Sequence, residues 1–354
     1  MHRVISRVLA IETSCDDTSV AVVEAGGRVV HVLSANQDRK HRVFGGVVPE
    51  IAGRTHIEMM IPLIEECLQL SGMGWADIYG IAVTNRPGLV GSLIVGVVTA
   101  KSLSLALNKP LIGVNHLEAH LLAPFLKDET YQPPADFTYP FIALAISGGH
   151  THLYHVTGLG EYKILGMTRD DAAGEAFDKF AKLAGLGFPG GVRVDKTAQD
   201  SGDPMKYDFP RALIHEPNYD FSFSGLKASA QRLLQSMEKE EIKKELPDLC
   251  ASFQEAIVDV LIKKSERALK ELNLDKVVFT GGVSANSRLR QRVEQWAGKK
   301  GFQAVIPPIR YCTDNAAMVG YVGIERLIAG ESDDQSLAPS PRVYEKDFQI
   351  GTDS

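Results

Sequence analysis

The chain has 354 residues, 44% of them hydrophobic and 23% charged, proportions typical of a soluble globular protein with two domains or one large duplicated domain. Its formal charge of −6 excludes a surface that attracts nucleic acid as a whole, although a local patch or a partner protein can still hold RNA. The four scattered cysteines form no Cys-x-x-Cys pair, which argues against a disulfide framework or a zinc ribbon and favours a reducing compartment.

Neither residues 1–12 nor the longest uncharged stretch, residues 87–100, fits a membrane-targeting element. The first segment has too short an apolar run for a secretory signal, and the second is too short to span a bilayer. We therefore expect a cytoplasmic protein that does not associate with a membrane.

The first half of the chain predicts a three-stranded meander followed by alternating helices and buried strands. In chain order these elements are strands at 8–11, 19–23 and 28–33, a helix near 51–70, a strand at 78–84, a helix near 90–107, a strand at 111–114 and a helix from 116.

The second half repeats this pattern, which indicates an internal duplication. Its elements are strands at 141–146, 152–156, 162–166 and 277–280, a helix at about 287–300, a strand at 304–306 and a helix at about 315–329. The mostly helical stretch 172–272 is an insertion in this half, and the Pro- and Asp-rich stretch 128–140 is the predicted linker.

The duplication predicts a two-lobed α/β protein with a cleft between the lobes. We expect residues 1–135, completed by a helix at 315–330, to form the first lobe, residues 136–314 the second, and residues 331–354 a loose polar extension. Ligands of such sheets bind beyond the C-terminal ends of the strands, which is where the polar turns of this chain fall.

Two histidines, His116 and His120, stand four residues apart at the start of a predicted helix. This spacing places their side chains about 40° apart on one face, where two neutral imidazoles can share a metal ion. Glu118 lies roughly 200° around the helix from His116, so a metallopeptidase would lack its general base. Packed structural histidines are the alternative interpretation. Asp314 is a candidate oxygen ligand that could instead cap the final helix.

Two glycine-rich turns follow buried strands. The turn at 147–151 allows a phosphate or carboxylate to approach the backbone, and the turn at 280–286 permits contact with a base or ribose beside a helix N-terminus. An ordinary hairpin and a capped strand–helix turn are the alternatives. Asp178 lies near Gly190-Gly191 and Asp195, and this cluster could bind ligand hydroxyls.

Taken together, these motifs resemble the TsaD family, the bacterial tRNA threonylcarbamoyladenosine transferases. The matching stretches follow the family order and lie at 12–18, 45–50, 87–91, 116–120, 147–151, 171–179, 220–227, 281–286 and 313–315. The chain departs from the family pattern at Arg86 and Val192, where the family usually has Gly and Pro.

The resemblance implies an actin-like (ASKHA) fold of duplicated ribonuclease-H-like domains, with the helical insertion 172–272 in the second lobe. It also implies one divalent metal ion, iron or zinc, bound by His116, His120 and Asp314. By the same resemblance, an adenylate substrate or ATP occupies the cleft. The residues implied to hold it are Ala145, Ile146, Ser147, Gly148, Gly149, Asp178, Gly191, Asp195 and Asn286.

The implied reaction transfers a threonylcarbamoyl group from threonylcarbamoyl-AMP to the N6 amine of the adenosine beside the anticodon, in tRNAs that read codons starting with A. Glu12 and Asp17 are possible bases for this step. The implied partners are tRNA, a smaller related actin-like subunit of the TsaB type, a small ATPase of the TsaE type and a separate threonylcarbamoyl-AMP synthase.

The basic residues of the chain form only small clusters, at 39–42 and at arginines 288, 290 and 292, and we interpret both as solvated surface. We therefore expect the isolated chain to bind tRNA weakly. Two alternative functions are a metallopeptidase, against which the position of Glu118 argues, and a non-catalytic nucleotide-binding scaffold, against which the metal triad argues.

Overall fold

The computed structural model describes residues 6–342 and 349–350, the last two by their backbone alone. Within these limits the chain divides into two compact units, residues 6–137 with 310–342 and residues 138–309 with 349–350. The predicted metal ligands therefore all belong to the first unit, and the predicted substrate-binding residues all belong to the second.

The elements alternate along the chain much as predicted. The strands are β1 (Arg7–Glu12), β2 (Thr18–Glu24), β3 (Arg28–Ala35), β4 (Gly80–Arg86), β5 (Leu111–Asn115), β6 (Phe141–Ile146), β7 (Thr151–Gly158), β8 (Glu161–Met167), β9 (Lys276–Thr280), β10 (Gln303–Val305) and β11 (Gln349–Ile350). The helices are α1 (Asp38–His41), α2 (Pro49–Ser71), α3 (Val90–Leu107), α4 (His116–Leu122), α5 (Ala173–Leu183), α6 (Gly190–Gln199), α7 (Ser224–Gln235), α8 (Lys239–Glu271), α9 (Ser287–Lys300), α10 (Ile309–Cys312) and α11 (Ala316–Ile328). Short 3-10 helices lie at Arg42–Phe44, Trp75–Asp77, Ala123–Phe125 and Gly282–Ala285.

The two sheets share one topology. In the first unit the order is β3-β2-β1-β4-β5, with an antiparallel β1–β3 meander and with β4 and β5 parallel to β1. In the second unit the order is β10-β9-β6-β7-β8-β11, where β6–β8 form the meander and β9 and β10 run parallel to β6. The structure thus confirms the predicted α/β fold and its internal duplication.

The central strands are apolar on both faces because helices cover both sides of each sheet. In the first unit, Leu9 and Ile11 of β1 pack among residues of α2 and α3, whereas Ala10 lies close to Gly320 of α11. A Cβ atom on Gly320 would lie 2.5 Å from Val23, so a glycine is needed for α11 to pack this closely on the sheet. This packing fixes the segment just before α11, which contains Asp314.

The polar tail, predicted to be a loose extension, packs on the first unit through residues 331–342. The backbone N–H of Asp333 donates to the carbonyl of Leu111 at 2.7 Å, and the Asp333 carboxylate accepts from the N–H of Gly113 at 2.7 Å. That prediction was wrong because it rested on composition, whereas the tail is held by hydrogen bonds along the edge strand β5. Apart from residues 349–350, the rest of the predicted extension lies outside the described residues.

Among the described residues, α3 is the one helix that is long and apolar enough to cross a membrane, with a mean hydropathy of 1.8 and 33% of its residues buried. It packs against β4 and α2. Its apolar composition is therefore explained in part by the core of the first unit.

Candidate functional site

The two histidines of the first unit are positioned by the junction between β5 and α4. Asn115, the last residue of β5, caps the helix, because its side-chain oxygen accepts from the N–H groups of Leu117 at 2.9 Å and of Glu118 at 3.4 Å. The helix therefore begins at His116. The rings of His116 and His120 lie edge to face with centroids 4.6 Å apart, and both residues are buried.

Asp314 completes a triad with these histidines. Its Oδ1 lies 3.0 Å from Nε2 of His120 and 3.5 Å from Nε2 of His116, and the three candidate ligand atoms all lie within 4.8 Å of one another. Four-coordinate sites with metal–ligand bonds of about 2.1 Å have ligands about 3.4 Å apart, so two imidazoles and a carboxylate in this arrangement fit one metal ion. The cap of α11 is Asn315, which accepts from the N–H of Met318 at 3.1 Å. Asp314 is therefore not that cap.

Behind the triad, Glu12 fixes the orientation of His116. The Nδ1 of His116 lies 3.1 Å from Oε2 of Glu12 and 3.2 Å from Oγ of Ser14, so its N–H points away from Asp314 and Nε2 points toward it. The buried Glu12 carboxylate also accepts hydrogen bonds from the Thr84 hydroxyl and the Ser14 backbone N–H. A carboxylate that orients a ligating histidine in this way raises its basicity toward a metal.

The electrostatics of the triad follow from burial and from the two carboxylates. Burial opposes protonation of His116, but Asp314 and Glu12 outweigh it and raise its pKa to about 9. Burial alone would raise the pKa of Glu12, yet the charge and hydrogen bond of His116 lower it. The pKa of His120 is lowered, chiefly by burial. The pocket thus favours a positive charge between Glu12 and Asp314.

The polar turn after β1, residues 13–17, brings two further carboxylates toward the triad. Burial raises the pKa of Asp17 to about 7, and the charges of Asp314 and Asp16 add to that rise. The side-chain amide of Asn36 donates to Asp17 at 2.9 Å, which fixes the position of this carboxylate. A cation on Asp314 would reduce the negative field and lower the pKa of Asp17.

Glu118 belongs to a different contact. Its Oε1 accepts from the guanidinium of Arg326 at 2.7 Å, on the side of α4 that packs against α11. Glu118 is buried in this ion pair with the half-buried Arg326, so its carboxylate is engaged in packing rather than directed at the triad. The structure therefore supports the argument against a metallopeptidase.

In the second unit, the turn at Ser147–Gly149 closes the end of β6. The N–H of Ser147 donates to the carbonyl of His150 at 2.8 Å, and the N–H of His150 donates to Oγ of Ser147 at 3.1 Å. Space is open where Cβ atoms of Gly148 and Gly149 would lie, whereas a Cβ atom on Gly174 of α5 would lie 2.6 Å from the Ser147 carbonyl. The turn is thus packed against α5 on one side and open on another.

Asp178 and Gly191 meet where α5 packs against α6. Oδ1 of Asp178 accepts from the N–H of Gly190 at 2.7 Å. Burial raises the pKa of this carboxyl, although hydrogen bonds from Gly190 and Gly191 oppose the rise. Val192, one of the two departures from the family pattern, is exposed in the first turn of α6.

Asp195 and Asn286 lie together at the start of α9. The carboxylate of Asp195 accepts from the N–H and the hydroxyl of Ser287 at 3.0 and 2.7 Å. Asn286 caps α9 by accepting from the N–H of Leu289 at 2.9 Å, and its amide N–H donates to Oε1 of Gln254 at 3.0 Å. A cavity of about 310 Å³ adjoins this cluster, lined in part by Gln254, Ser287 and Gln199.

The predicted substrate-binding residues therefore gather around the C-terminal ends of β6 and β9. The two turns are adjacent, because a Cβ atom on Gly281 would lie 2.5 Å from the carbonyl of Ile146. Ala145 and Ile146 are buried in β6 and can contribute backbone atoms only. Sequence reasoning missed Gln254, which lies on α8, 32 residues before its partner Asn286. No local motif marks it.

A comparison with known proteins identifies the family of this chain. The model of the TsaD family, described as tRNA N6-adenosine threonylcarbamoyltransferase, matches residues 28–321. The protein of that name from Bdellovibrio bacteriovorus is 62% identical over 345 residues, 98% of this chain and 100% of the relative. The protein of the same name from Anaeromyxobacter dehalogenans is 50% identical over 339 residues, 95% of this chain and 98% of the relative.

Among solved structures, component A of the (R)-2-hydroxyglutaryl-CoA dehydratase of Acidaminococcus fermentans has a similar fold, with a TM-score of 0.53. The identity is 14%, and the match covers 92% of this chain and 99% of that one. At this identity the similarity concerns the fold alone, and it agrees with the actin-like fold expected from the motifs. Sequence identity, the family match and the shared topology together place this chain in the TsaD family, the tRNA N6-adenosine threonylcarbamoyltransferases.

Proposed function

We propose that this protein transfers the threonylcarbamoyl group from threonylcarbamoyl-AMP to the N6 amine of the adenosine beside the anticodon, in tRNAs that read codons starting with A. Membership of the family supports the class of reaction and tRNA as the acceptor. The observation that carries the proposal of metal assistance is the triad of two buried imidazoles directed at one oxygen of Asp314. The cytoplasm, which contains tRNA, is the proposed compartment.

The proposed cofactor is one divalent ion, iron or zinc, held by His116, His120 and Asp314. Two nitrogens and one oxygen suit either metal and leave positions open for a substrate. When bound, such an ion supplies Lewis acidity toward the carbonyl or phosphate oxygen of the donor. The chain contributes the orientation of its ligands, because Glu12 holds the N–H of His116 and leaves Nε2 to the ion.

The proposed site for the donor adenylate is the cluster at the ends of β6 and β9. The open turn at Ser147–Gly149 suits a phosphate or carboxylate group, and the carboxylates of Asp178 and Asp195 suit ribose hydroxyls. Asn286 is held rigidly by its two hydrogen bonds and can orient the donor without rearranging. An adenine amine is a weak nucleophile. The main role of these residues would therefore be to hold the carbamoyl carbon of the donor close to that amine.

The proposed protein partners are a smaller related actin-like subunit, a small ATPase and a separate enzyme that makes the adenylate. An exposed apolar surface on α2 and α3 supports the first of these. The two helices pack against each other, and four of their aliphatic side chains are 46–66% exposed. These are Ile57 and Ile61 on α2 and Ile94 and Val98 on α3.

This apolar surface, residues 57, 61, 94 and 98, belongs to helices that are part of the fold itself. A related subunit with the same fold would carry the equivalent pair of helices, so two such pairs can pack face to face. Exposed apolar side chains one helical turn apart on two packed helices can form the core of a protein–protein interface. A charge placed in it by Ile61→Glu should prevent association with the subunit and leave metal binding unchanged, as measured by analytical ultracentrifugation and elemental analysis.

The metal assignment is tested with His116→Ala and His120→Ala. Each variant should fold, lose its metal and lose transfer activity. The control is His215→Ala, an exposed histidine of the second unit, which should keep both. Metal is measured by elemental analysis, which also identifies the ion, and transfer by mass spectrometry of tRNA nucleosides. Full metal content in both triad variants would contradict the assignment.

The reaction itself is tested in cells depleted of the protein. Their tRNA should lose threonylcarbamoyladenosine and regain it when the wild-type chain, but not His120→Ala, is restored. Unchanged nucleoside content after depletion would mean that the chain serves another acceptor.

A further inference from the structure

The loop after β3 differs from the rest of the surface in the side chains it exposes. We define the basic loop as residues 38–46, which comprise α1, the 3-10 helix Arg42–Phe44 and two glycines. At its tip Val43 is 80% exposed and Phe44 is 61% exposed. Arg39 and Arg42 are exposed on either side of His41, and among the described residues neither forms an ion pair.

Hydrogen bonds of His41 and Lys40 anchor the basic loop to the rest of the first unit. His41 is fully buried, and its Nε2 lies 3.2 Å from the side-chain oxygen of Gln37, while its Nδ1 accepts from the N–H of Val48 at 3.2 Å. Lys40 is bound to α2 through Thr55 at 3.0 Å and Glu58 at 3.2 Å. The exposed tip is therefore held in place by internal contacts, and its two arginines and Phe44 are presented outward.

The start of the basic loop is hydrogen-bonded to the polar turn after β1, within the first unit. The N–H of Asp38 donates to the side chain of Asn36 at 2.7 Å, and Asn36 in turn donates to Asp17 at 2.9 Å. Asp17 lies in the polar turn after β1, residues 13–17, and Ser14 of the same turn has its Oγ 3.2 Å from Nδ1 of His116. Hydrogen bonds thus connect the start of the basic loop to the turn that carries Ser14, a neighbour of His116.

We propose that the basic loop is an RNA-binding element, in which Arg39 and Arg42 contact backbone phosphates and Phe44 stacks on an unpaired base. The inference rests on the proposed function, since it names the part of the chain that would present an RNA loop to the triad. Proteins recognise single-stranded RNA by stacking bases on aromatic rings and by neutralising phosphates with arginine. A purely solvated face would explain the arginines but leaves the exposed Phe44 and Val43 without a role.

The chemistry of the loop favours RNA over a protein surface. Residues 38–46 carry three cations and one carboxylate in a chain whose formal charge is −6, so the loop is a local exception to the overall repulsion of a polyanion.

The test uses the full chain with its metal and its partner subunit, and an anticodon stem-loop RNA as the probe. Phe44→Ala should weaken binding on the order of tenfold, and Phe44→Leu should weaken it nearly as much, because leucine keeps the apolar character but cannot stack. The control is Met205→Ala, a side chain that is 75% exposed in the second unit.

The arginines are tested by the salt dependence of the same binding reaction. Arg39→Ala combined with Arg42→Ala should reduce the slope of log K against log salt by about 1.4, since each phosphate contact to a single strand contributes about 0.7. Arg232→Ala combined with Lys244→Ala, which removes two exposed cations of the second unit, should leave the slope unchanged. In a series of stem-loops, 2-aminopurine replaces one loop base at a time. Its fluorescence should be quenched on binding at the position that stacks on Phe44, and this quenching should be absent with Phe44→Ala.

Two outcomes overturn the proposal, and a third overturns the proposed function on which it rests. Wild-type RNA affinity in Phe44→Ala, together with an unchanged salt dependence in the Arg39→Ala, Arg42→Ala double variant, would show that the loop does not contact RNA. Wild-type affinity in Phe44→Leu together with lost binding of the partner subunit in Phe44→Ala would assign Phe44 to a protein contact. If the wild-type complex itself neither binds nor modifies tRNA, the proposed function fails. If the wild-type complex binds tRNA and the loop variants bind it equally well, only the role of the basic loop fails.

Discussion

Replacing the buried carboxylate of Glu12 by an amide tests how the chain tunes its metal site. In Glu12→Gln the side chain keeps its size but loses its charge, and only one of its two polar atoms can still accept hydrogen bonds. The carboxylate receives hydrogen bonds from His116 and Thr84 on one oxygen and from Ser14 on the other. The amide group must therefore face at least one donor with a donor of its own.

Two effects follow from this change. The charge of Glu12 favours a dication more strongly than a proton, so its removal should weaken metal binding. Loss of a partner that orients a ligating histidine costs about 10- to 100-fold in metal affinity, or about 1.4–2.8 kcal/mol. The mismatched donor should also lower the free energy of unfolding by about 1–3 kcal/mol.

The assay is competition between the metal-free protein and a chelating indicator, which reports metal affinity without requiring activity. The matched control is Glu118→Gln, the same chemical change two residues from His116, where the carboxylate pairs with Arg326. This control should lower stability but leave the metal affinity unchanged. Wild-type affinity in Glu12→Gln, or an equal loss in both variants, would refute the role assigned to Glu12.

Three further predictions concern the second unit. Asn286→Ala should weaken binding of a stable adenylate analogue about tenfold in calorimetry without changing the metal content. Gly174→Ala should weaken the same binding, because its Cβ atom would lie 2.6 Å from the Ser147 carbonyl. The control is Gly298→Ala on α9, whose Cβ atom would have no neighbour within 4 Å, and this variant should bind the analogue normally. Burial lowers the pKa of His152 to about 4 from 6.5, so as pH falls the unfolded chain takes up the proton first and the free energy of unfolding decreases. This decrease should be at most about 2 kcal/mol between pH 7 and 5. In urea titrations it should be absent from His152→Gln.

The triad could be predicted from the sequence because its signal is local and periodic. A spacing of four on a helix that follows a strand fixes the geometry of two histidines, and the resemblance supplied Asp314 from a short motif before the last helix. For Glu12 the sequence indicates only a possible base. Its contact with His116 joins residues 104 apart in the sequence, and nothing in the pattern of β1 indicates which partner its carboxylate meets.

The same limit explains the two other differences. Gln254 was not predicted because an amide on the buried face of a long helix has no sequence signature until the position of Asn286 is known. The tail at 331–342 was predicted to be loose because polar composition suggests solvent, yet backbone groups along an edge strand bind any chain that supplies complementary donors and acceptors.

The discontinuous first unit has a consequence for synthesis on the ribosome. The continuous segment 138–309 supplies five strands of the second unit, so that unit has nearly all its sheet when residue 309 leaves the exit tunnel. The strands of the first unit are made earlier, but its core is incomplete until α11 has been made and packs on Ala10 and Val23. His120 precedes Asp314 by 194 residues, so a nascent chain cannot assemble the triad until residue 314 has been made.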